Sequence, residues 1–240
     1  MTSRTDPTAG PPLDAAAGDD KRLAALAAVA EVEDGMLLGL GTGSTARHAI
    51  DAIGALVAGG ARLRAVATSL ASARQAERLG IALLDMADTA AVDLTIDGAD
   101  EIDPRLVAIK GAGGAMLREK VVAAASTRML VIADGSKRVD MLGVAPLPVE
   151  VAPFALASVM RRVTALGAVP VLRMAAGERY RTDQDNLVLD CRFGPLTDPG
   201  ALAAALQAIP GLVGHGLFLD QVHCAYVAAA GVVSRIERPA

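Results

Sequence analysis

Apolar and polar positions alternate in a way that predicts a regular succession of strands and helices over the first 145 residues. Residues 21–32 carry apolar side chains at helical spacing, whereas residues 36–41 form a short apolar run typical of a buried strand. The alternation continues with helices predicted at 45–60, 72–80 and 115–126 and strands at 62–69, 92–97, 106–111 and 129–134. Since strands that alternate with helices form parallel sheets, the pattern predicts an α/β fold: a Rossmann-like parallel sheet with helices on both faces.

The pattern changes after Ala145. Strands are predicted at 146–151, 169–174, 186–191 and 212–218, with helices at 153–167 and 199–209. This β-α-β-β-α-β order predicts a smaller ferredoxin-like α+β domain over residues 146–219. Residues 224–236 predict a final hairpin that returns to the first domain, so the larger, catalytic domain is expected to comprise residues 20–145 with 220–240.

The first 19 residues differ from the rest of the chain. They are mostly Pro, Gly, Ala, Thr and Asp and show no periodicity. We therefore expect a disordered N-terminal extension over residues 1–19. The stretch has no apolar segment followed by a cleavage site, so it does not read as a signal peptide.

Composition and charge narrow the class of protein. The 240 residues are 52% hydrophobic and 21% charged, which is typical of a globular chain. The net charge of −4 and the 2% aromatic content argue against nucleic acid as the main partner. No apolar run reaches the ~18 residues of a membrane helix, so no membrane partner is expected. Cys191 and Cys224 form no metal or redox spacing, which favours a reducing, cytoplasmic location.

Lysine is scarce in this chain. Only four of the 23 basic residues are lysines, namely Lys21, Lys110, Lys120 and Lys137. Where arginine is the usual cation, a retained lysine can mark a place that needs a compact, titratable ammonium. The presence of any single one of these four lysines is explained equally well by chance.

A glycine-rich loop follows the first predicted strand. The segment Gly39-Leu-Gly41-Thr-Gly43-Ser-Thr45 combines backbone amides, hydroxyls and a helix N-terminus, which together suit a phosphate. A tight strand-to-helix connection is the alternative, and the density of hydroxyls favours phosphate. Ser44 stands where a dinucleotide fingerprint needs its third glycine, and no GK[ST] triplet follows, so a nucleotide loop is disfavoured.

Several carboxylates follow the strand VDLTID. Asp97 and Asp100 lie nearest the strand end and are candidates for acid–base chemistry. Glu101 and Asp103 fit a solvated acidic turn before Pro104 better. The spacing fails an EF-hand loop, and the three histidines, His48, His215 and His223, form no ligand motif. No metal site is therefore expected.

Two further predicted strand ends carry polar groups. Lys110 enters a Gly-rich loop that leads to a helix with Glu119, and Ser136 and Lys137 follow the strand ending at Asp134. Glu119 stands in an Arg-Glu-Lys triplet, whose default interpretation is a charged helix surface. Because all four predicted strand ends would share one edge of one sheet, the pattern predicts a site at that edge.

The motifs as a set resemble a known family. GLGTGST, DGADEID, KGAGGAMLREK, ADGSK and PLPVEV, in this order and spacing, closely resemble the type A ribose-5-phosphate isomerases, from about residue 21 to the C-terminus. The resemblance implies reversible interconversion of D-ribose 5-phosphate and D-ribulose 5-phosphate through an enediolate, in the non-oxidative pentose phosphate pathway. It implies a sugar phosphate as partner, no metal, no cofactor and no nucleotide. A homo-oligomer is expected, with a dimer favoured.

The resemblance also assigns roles to residues. Glu119 would move the proton between C1 and C2, Asp97 and Asp100 would handle the hydroxyl and carbonyl oxygens, and Lys110 would stabilise the enediolate. The implied substrate-binding residues are Thr42, Gly43, Ser44, Thr45, Gly98, Ala99, Gly111, Ala112, Gly113, Lys137 and Lys21. The chain departs from the family pattern at Ala112, at residues 68–72, which are less rich in hydroxyls than expected, and at residues 220–224. These departures bear on affinity rather than on a catalytic group.

Two alternative functions remain open at the level of sequence. One is a related sugar-phosphate isomerase or deaminase on a similar sheet, and the other is a non-catalytic sugar-phosphate sensor. The combination of Glu119, Asp97, Asp100 and Lys110 argues for an enzyme over a sensor. A nicotinamide dehydrogenase is disfavoured, because no acidic residue closes a strand near position 66.

Overall fold

The structure is a computed structural model that describes residues 13–238. Its α-helices are α1 Leu13–Val29, α2 Ser44–Ala58, α3 Leu70–Arg78, α4 Met116–Ala124, α5 Leu156–Ala165 and α6 Pro199–Gln207. Its strands are β1 Leu37–Leu40, β2 Arg64–Ala67, β3 Ala82–Leu83, β4 Val92–Gly98, β5 Glu101–Ile102, β6 Ala108–Ile109, β7 Ser126–Asp134, β8 Leu147–Val151, β9 Val169–Leu172, β10 Met174–Ala175, β11 Glu178–Arg179, β12 Leu187–Arg192, β13 Leu212–His215, β14 Leu217–Phe218, β15 Cys224–Ala229 and β16 Val232–Glu237. None of the helices in this range is long and apolar enough to cross a bilayer.

A seven-stranded sheet forms the larger part of the fold. Its strand order is β16-β15-β7-β4-β1-β2-β3, and every neighbouring pair is parallel except the hairpin β15–β16. Helices α1, α2 and α3 pack on one face around Leu38 and Ile53, while α4 packs Val122 against Val66 and Val92 on the other. The predicted parallel sheet with helices on both faces is confirmed, and so is the return of the C-terminal hairpin to it.

A four-stranded antiparallel sheet carries the second part of the fold. Its order is β13-β8-β12-β9, and α5 and α6 cover it with Val159, Val163 and Leu206 packed on Val149 and Leu189. The chain runs through these elements as β-α-β-β-α-β, so the predicted ferredoxin-like topology is confirmed. The domain boundaries at 145/146 and 219/220 stay a prediction.

Two predicted strands were wrong in extent and in partner. The run 106–111 yields only β6, and β6 pairs with β5 and β14 in a separate three-stranded antiparallel sheet. The run 212–218 is divided at Gly216 between β13 and β14. Gly216 donates to Pro148 O and accepts from Lys110 N, and a Cβ there would lie 2.1 Å from Lys110 O, so only glycine lets the chain pass between the two sheets.

The N-terminal prediction needs a correction as well. Helix α1 begins at Leu13, so the expected disorder was wrong over residues 13–19, and residues 1–12 lie outside the described residues. The run Ala15-Ala16-Ala17 has the highest helix propensity available. Asp20 then accepts hydrogen bonds from the amides of Ala230 and Gly231, which ties α1 to the turn of the final hairpin.

Candidate active site

A cavity of about 240 Å³ opens at the carboxyl ends of β1 and β4. Its lining consists of Lys21, Thr42, Gly43, Ser44, Thr45, Gly98, Ala99, Asp100, Lys110, Gly111, Ala112, Gly113, Glu119 and Lys137. All of these residues belong to the set predicted from the sequence. The remaining member of that set, Asp97, is fully buried and does not line the cavity.

The loop after β1 is shaped by its glycines. A Cβ on Gly41 would lie 2.1 Å from Asp97 Oδ1, so only glycine lets the loop pass so close to β4. Thr42 N donates to that same oxygen at 3.0 Å, and Gly43, with φ of 110°, precedes α2 without a side-chain cap. The first amides of α2 have no acceptor within the helix, and free amides at a helix N-terminus suit an anion.

Two lysines add positive charge beside this loop. Lys21 Nζ donates to Ser44 Oγ at 3.2 Å and lies 4.0 Å from Asp134 Oδ2. Lys137 lines the cavity from a 3₁₀ turn, Gly135–Lys137, whose start is capped by Asp134 through Ser136 N. The end of the cavity nearest α2 thus combines helix amides, hydroxyls and two ammonium groups, which suits a phosphate.

A buried charge cluster adjoins the lining. Lys110 Nζ lies 2.9 Å from Asp97 Oδ2 and 3.5 Å from Glu119 Oε2, and it donates a hydrogen bond to Gly98 O at 2.5 Å. Burial alone would lower the pKa of Lys110, but the carboxylates of Asp97 and Glu119 raise it above its ordinary value. Lys110 therefore stays an ammonium, and it enters this cluster from the three-stranded sheet rather than from the predicted edge of the parallel sheet.

Glu119 is not the surface charge that its Arg-Glu-Lys context suggests. The residue is 3% exposed, and its Oε2 atom makes no hydrogen bond of normal geometry within residues 13–238, with the Lys110 ammonium 3.5 Å away. Burial, reinforced by the nearby carboxylates of Asp97 and Asp100 and opposed by Lys110, raises the pKa of Glu119 to about 8. A carboxyl with such a pKa that lines a cavity can exchange a proton near neutral pH.

The other carboxylates after β4 divide into two groups. Asp100 lines the cavity and accepts from Ala112 N at 2.8 Å. The expectation of a solvated turn was wrong for Glu101 and Asp103, which are 3% and 4% exposed. Both accept backbone hydrogen bonds, Glu101 from the amide of Gly143 and Asp103 from that of Val107, and so they hold loops rather than line the cavity.

Two hydroxyl residues beneath the glycine loop were missed. Thr68 Oγ1 donates to Leu40 O at 2.9 Å and lies 2.8 Å from Thr42 Oγ1, while Ser72 Oγ donates to Gly41 O at 2.6 Å. Both residues are buried. Their signal was the position of residues 68–72 at the end of the predicted strand 62–69 of the same sheet, although the segment carries fewer hydroxyls than the family pattern.

Lys120, the fourth lysine, lies outside the cavity lining. Its Nζ donates to Leu217 O at 2.6 Å, and burial lowers the pKa of Lys120 to about 8. It also lies 4.9 Å from the centroid of the Phe218 ring, which Lys110 Nζ approaches to 5.4 Å.

Within the described residues, no group of three or more His, Cys, Asp or Glu side chains could hold a metal ion.

The fold and the cavity together define an α/β protein with a glycine-rich loop at a helix N-terminus beside a buried cluster of Lys110, Asp97 and Glu119. The chain belongs to the ribose 5-phosphate isomerase A (phosphoriboisomerase A) family, whose model matches residues 64–231. It is 50% identical over 214 residues to ribose-5-phosphate isomerase A of Sphingopyxis alaskensis, covering 89% of this chain and 94% of that one. It is 48% identical over 227 residues to the protein of the same name from Rhodopseudomonas palustris, covering 92% and 98%.

Solved structures agree with the sequence relatives. Ribose 5-phosphate isomerase A of Methanocaldococcus jannaschii superposes with a TM-score of 0.87 at 34% identity, covering 91% of this chain and 98% of that one. A D-ribose-5-phosphate isomerase in complex with phospho-erythronic acid superposes with a TM-score of 0.89 at 32% identity, covering 92% and 98%.

Proposed function

We propose that this chain interconverts ribose 5-phosphate and ribulose 5-phosphate at the cavity described above. The observation that carries the proposal is Glu119: a buried carboxyl 3.5 Å from the Lys110 ammonium, on a cavity that also holds the glycine-rich loop at the start of α2. The phosphate would bind the first amides of α2 with Lys21 and Lys137. The reacting carbons would then lie toward Glu119 and Lys110.

The chemistry follows from that placement. The Glu119 carboxylate takes the proton from C2 of the aldose, and the C–H electron pair becomes the C1–C2 double bond of the enediolate. The negative charge that develops on O1 is stabilised by the Lys110 ammonium. A proton passes from O2 to O1, and Glu119 then returns its proton to C1, which leaves the ketone at C2.

Asp100 is the better candidate to carry the proton between the oxygens. It lines the cavity, whereas Asp97 is 0% exposed and its Oδ1 already accepts from the amides of Thr42 and Gly98. We therefore assign Asp97 a different role from the one the family resemblance implied. It is a positioning residue that holds the Lys110 ammonium and the glycine loop.

The sensor hypothesis accounts poorly for this cluster. Burying a carboxylate without a full set of partners costs free energy of folding. A protein that only bound the sugar phosphate would gain nothing from Glu119 in exchange for that cost. A proton-transferring enzyme uses the raised pKa directly.

The test is a coupled assay of ribose 5-phosphate isomerisation on purified, EDTA-treated protein. We expect full turnover in the presence of the chelator, because the proposed steps need no metal. Loss of turnover that a divalent ion restores would contradict the metal-free mechanism, and ligand binding without turnover would favour the sensor.

The homo-oligomeric state, a dimer in particular, and the cytoplasmic location stay predictions from the resemblance. Sedimentation equilibrium tests the oligomeric state.

A further inference from the structure

A second glycine-rich loop, residues 111–114, lines the cavity between Lys110 and α4. It carries no side chain larger than a methyl group, so its contribution to a ligand must come from its backbone. Gly111 and Gly114 have φ of 105° and 77°, values that favour glycine, and Gly114 N donates to Gly111 O at 2.9 Å. The loop is therefore a tight turn whose peptide groups have defined orientations.

Three consecutive carbonyls of this loop accept hydrogen bonds from side chains of another part of the fold. Arg173 Nη1 donates to Gly111 O at 3.1 Å and to Ala112 O at 2.9 Å. The Tyr180 hydroxyl donates to Gly113 O at 3.2 Å. Both side chains belong to the segment between β9 and β12, beside the four-stranded sheet.

The two donors are themselves held in place. Arg173 Nε donates to Asp190 Oδ2 at 2.9 Å, its Nη2 pairs with Asp190 Oδ1, and its side chain is only 14% exposed. The Arg173 guanidinium lies 5.5 Å from the centroid of the Tyr180 ring. That ring lies so close to the loop that a Cβ on Gly114 would stand 2.1 Å from the Tyr180 hydroxyl.

The backbone amides of residues 111–114 differ in whether they have a hydrogen-bond acceptor. Ala112 N donates to Asp100 Oδ2, whereas the amides of Gly111 and Gly113 have no acceptor in the described part of the chain. Gly113 lines the cavity, so its amide is available as a donor for a molecule bound there. A fixed backbone amide is the kind of group that stabilises a developing oxyanion.

We propose that Arg173 and Tyr180 are positioning residues, which hold the backbone of residues 111–114 so that the Gly113 amide faces the oxygens at the reacting end of the sugar phosphate. This inference rests on the proposed function. Neither side chain lines the cavity, so both act through the loop. The four-stranded sheet thereby completes a site that the parallel sheet begins.

Two conservative variants test the proposal. Arg173→Lys keeps a cation for Asp190, but a single ammonium cannot pair with Asp190, as Nε and Nη2 do, and also donate to both carbonyls, as Nη1 does. Tyr180→Phe keeps the ring against Gly114 and removes only the donor to Gly113 O. Arg179→Lys is the matched control, because Arg179 lies in the same segment, at the end of β11, and is exposed.

The measurements distinguish an effect at the reacting end of the cavity, near residues 111–114, from an effect at the start of α2. We expect each test variant to lower kcat by about 10-fold and to raise the Kd for phospho-erythronic acid by a similar factor, because a small displacement of the loop misplaces the reacting end. The Kd for inorganic phosphate, which probes only the α2 end, should not change. Arg179→Lys should match the wild type in all three measurements.

Several results would overturn the proposal. Unchanged kcat in both variants, or equal weakening of phospho-erythronic acid and inorganic phosphate, would indicate a general structural role. A wild-type protein that binds phospho-erythronic acid without isomerising ribose 5-phosphate would refute the proposed function alone, and the two affinities would still decide the role of Arg173 and Tyr180. Failure of the wild type both to bind phospho-erythronic acid and to isomerise ribose 5-phosphate would refute both.

Discussion

Lys110 Nζ lies 2.9 Å from Asp97 Oδ2, and these side chains are 2% and 0% exposed. Burial raises the pKa of Asp97 against the opposing effect of the Lys110 ammonium. With Glu119 3.5 Å from the same ammonium, two carboxyls share one cation in a site removed from water. The ammonium therefore determines how much negative charge the cluster can hold.

Removing that ammonium should damage both folding and catalysis. Lys110→Met leaves two carboxyls without their cation, and breaking a buried pair typically costs about 3–5 kcal/mol of stability. We expect a lower free energy of unfolding in urea and a kcat reduced by at least ~100-fold, since the charge on O1 loses its stabilising cation.

A double variant separates these two effects. Adding Asp97→Asn to Lys110→Met removes one of the two carboxyls left without a cation, so stability should recover in part while kcat stays low. Recovery of kcat together with stability would show that Lys110 serves folding alone.

Lys137 should act at the other end of the substrate. Lys137→Ala removes an ammonium beside the anion-binding loop, and a hydrogen bond to a charged group is worth about 1.5–3 kcal/mol. We expect KM to rise by roughly 10- to 100-fold with kcat changed much less. A fall in kcat at constant KM would mean that the sugar phosphate lies in the opposite direction in the cavity.

The hydroxyl network under the glycine loop gives a prediction with a close control. Thr68→Val removes the Oγ1 donor to Leu40 O and the contact with Thr42 Oγ1, while Leu40 O keeps the Thr68 amide as a donor, so the cost is that of one hydrogen bond, about 0.5–1.5 kcal/mol. We expect that loss of stability together with a raised KM. Thr164→Val, at an exposed threonine that also bonds a carbonyl one helical turn back, should change neither quantity.

The raised pKa of Glu119 makes a signed prediction about stability. The pKa of Glu119 is about 8 in the folded state against an ordinary 4.5 in the unfolded state. Between pH 4.5 and pH 8 the native state therefore binds more protons than the unfolded state, so the free energy of unfolding falls as the pH rises through this range. Glu119→Gln abolishes this cost. Urea unfolding should show the variant more stable than wild type above pH 8, by on the order of one to a few kcal/mol, and nearly equal to it at pH 4.5. A difference that does not vary with pH would contradict the raised pKa.

Sequence reasoning found the cavity residues because most of them lie in local motifs at strand ends. It could not show that Lys110 arrives from a separate three-stranded sheet, since that depends on the pairing of β6 with β5 and β14. Glu119 looks like a surface charge locally, and only the packing of α4 buries it. Arg173 and Tyr180 lie some 60 residues beyond the loop they hold, in a segment without a recognisable motif. Contacts of such long sequence separation leave no periodic signal.

Glu119→Gln tests directly whether Glu119 carries the proton between C1 and C2. The amide keeps the shape of the side chain but cannot accept the proton, and loss of a general base typically costs on the order of 10²–10⁴ in rate. The α2 end of the cavity is unchanged, so phospho-erythronic acid should still raise the Tm of the variant.

The decisive measurement is the exchange of the substrate C2 proton with deuterium from solvent. In wild-type protein we expect C2 exchange to accompany turnover, because one group removes and returns the proton. In Glu119→Gln, exchange and turnover should disappear together while ligand binding persists. Near-normal exchange or turnover in that variant would contradict the account and would make Asp100 the next base to test.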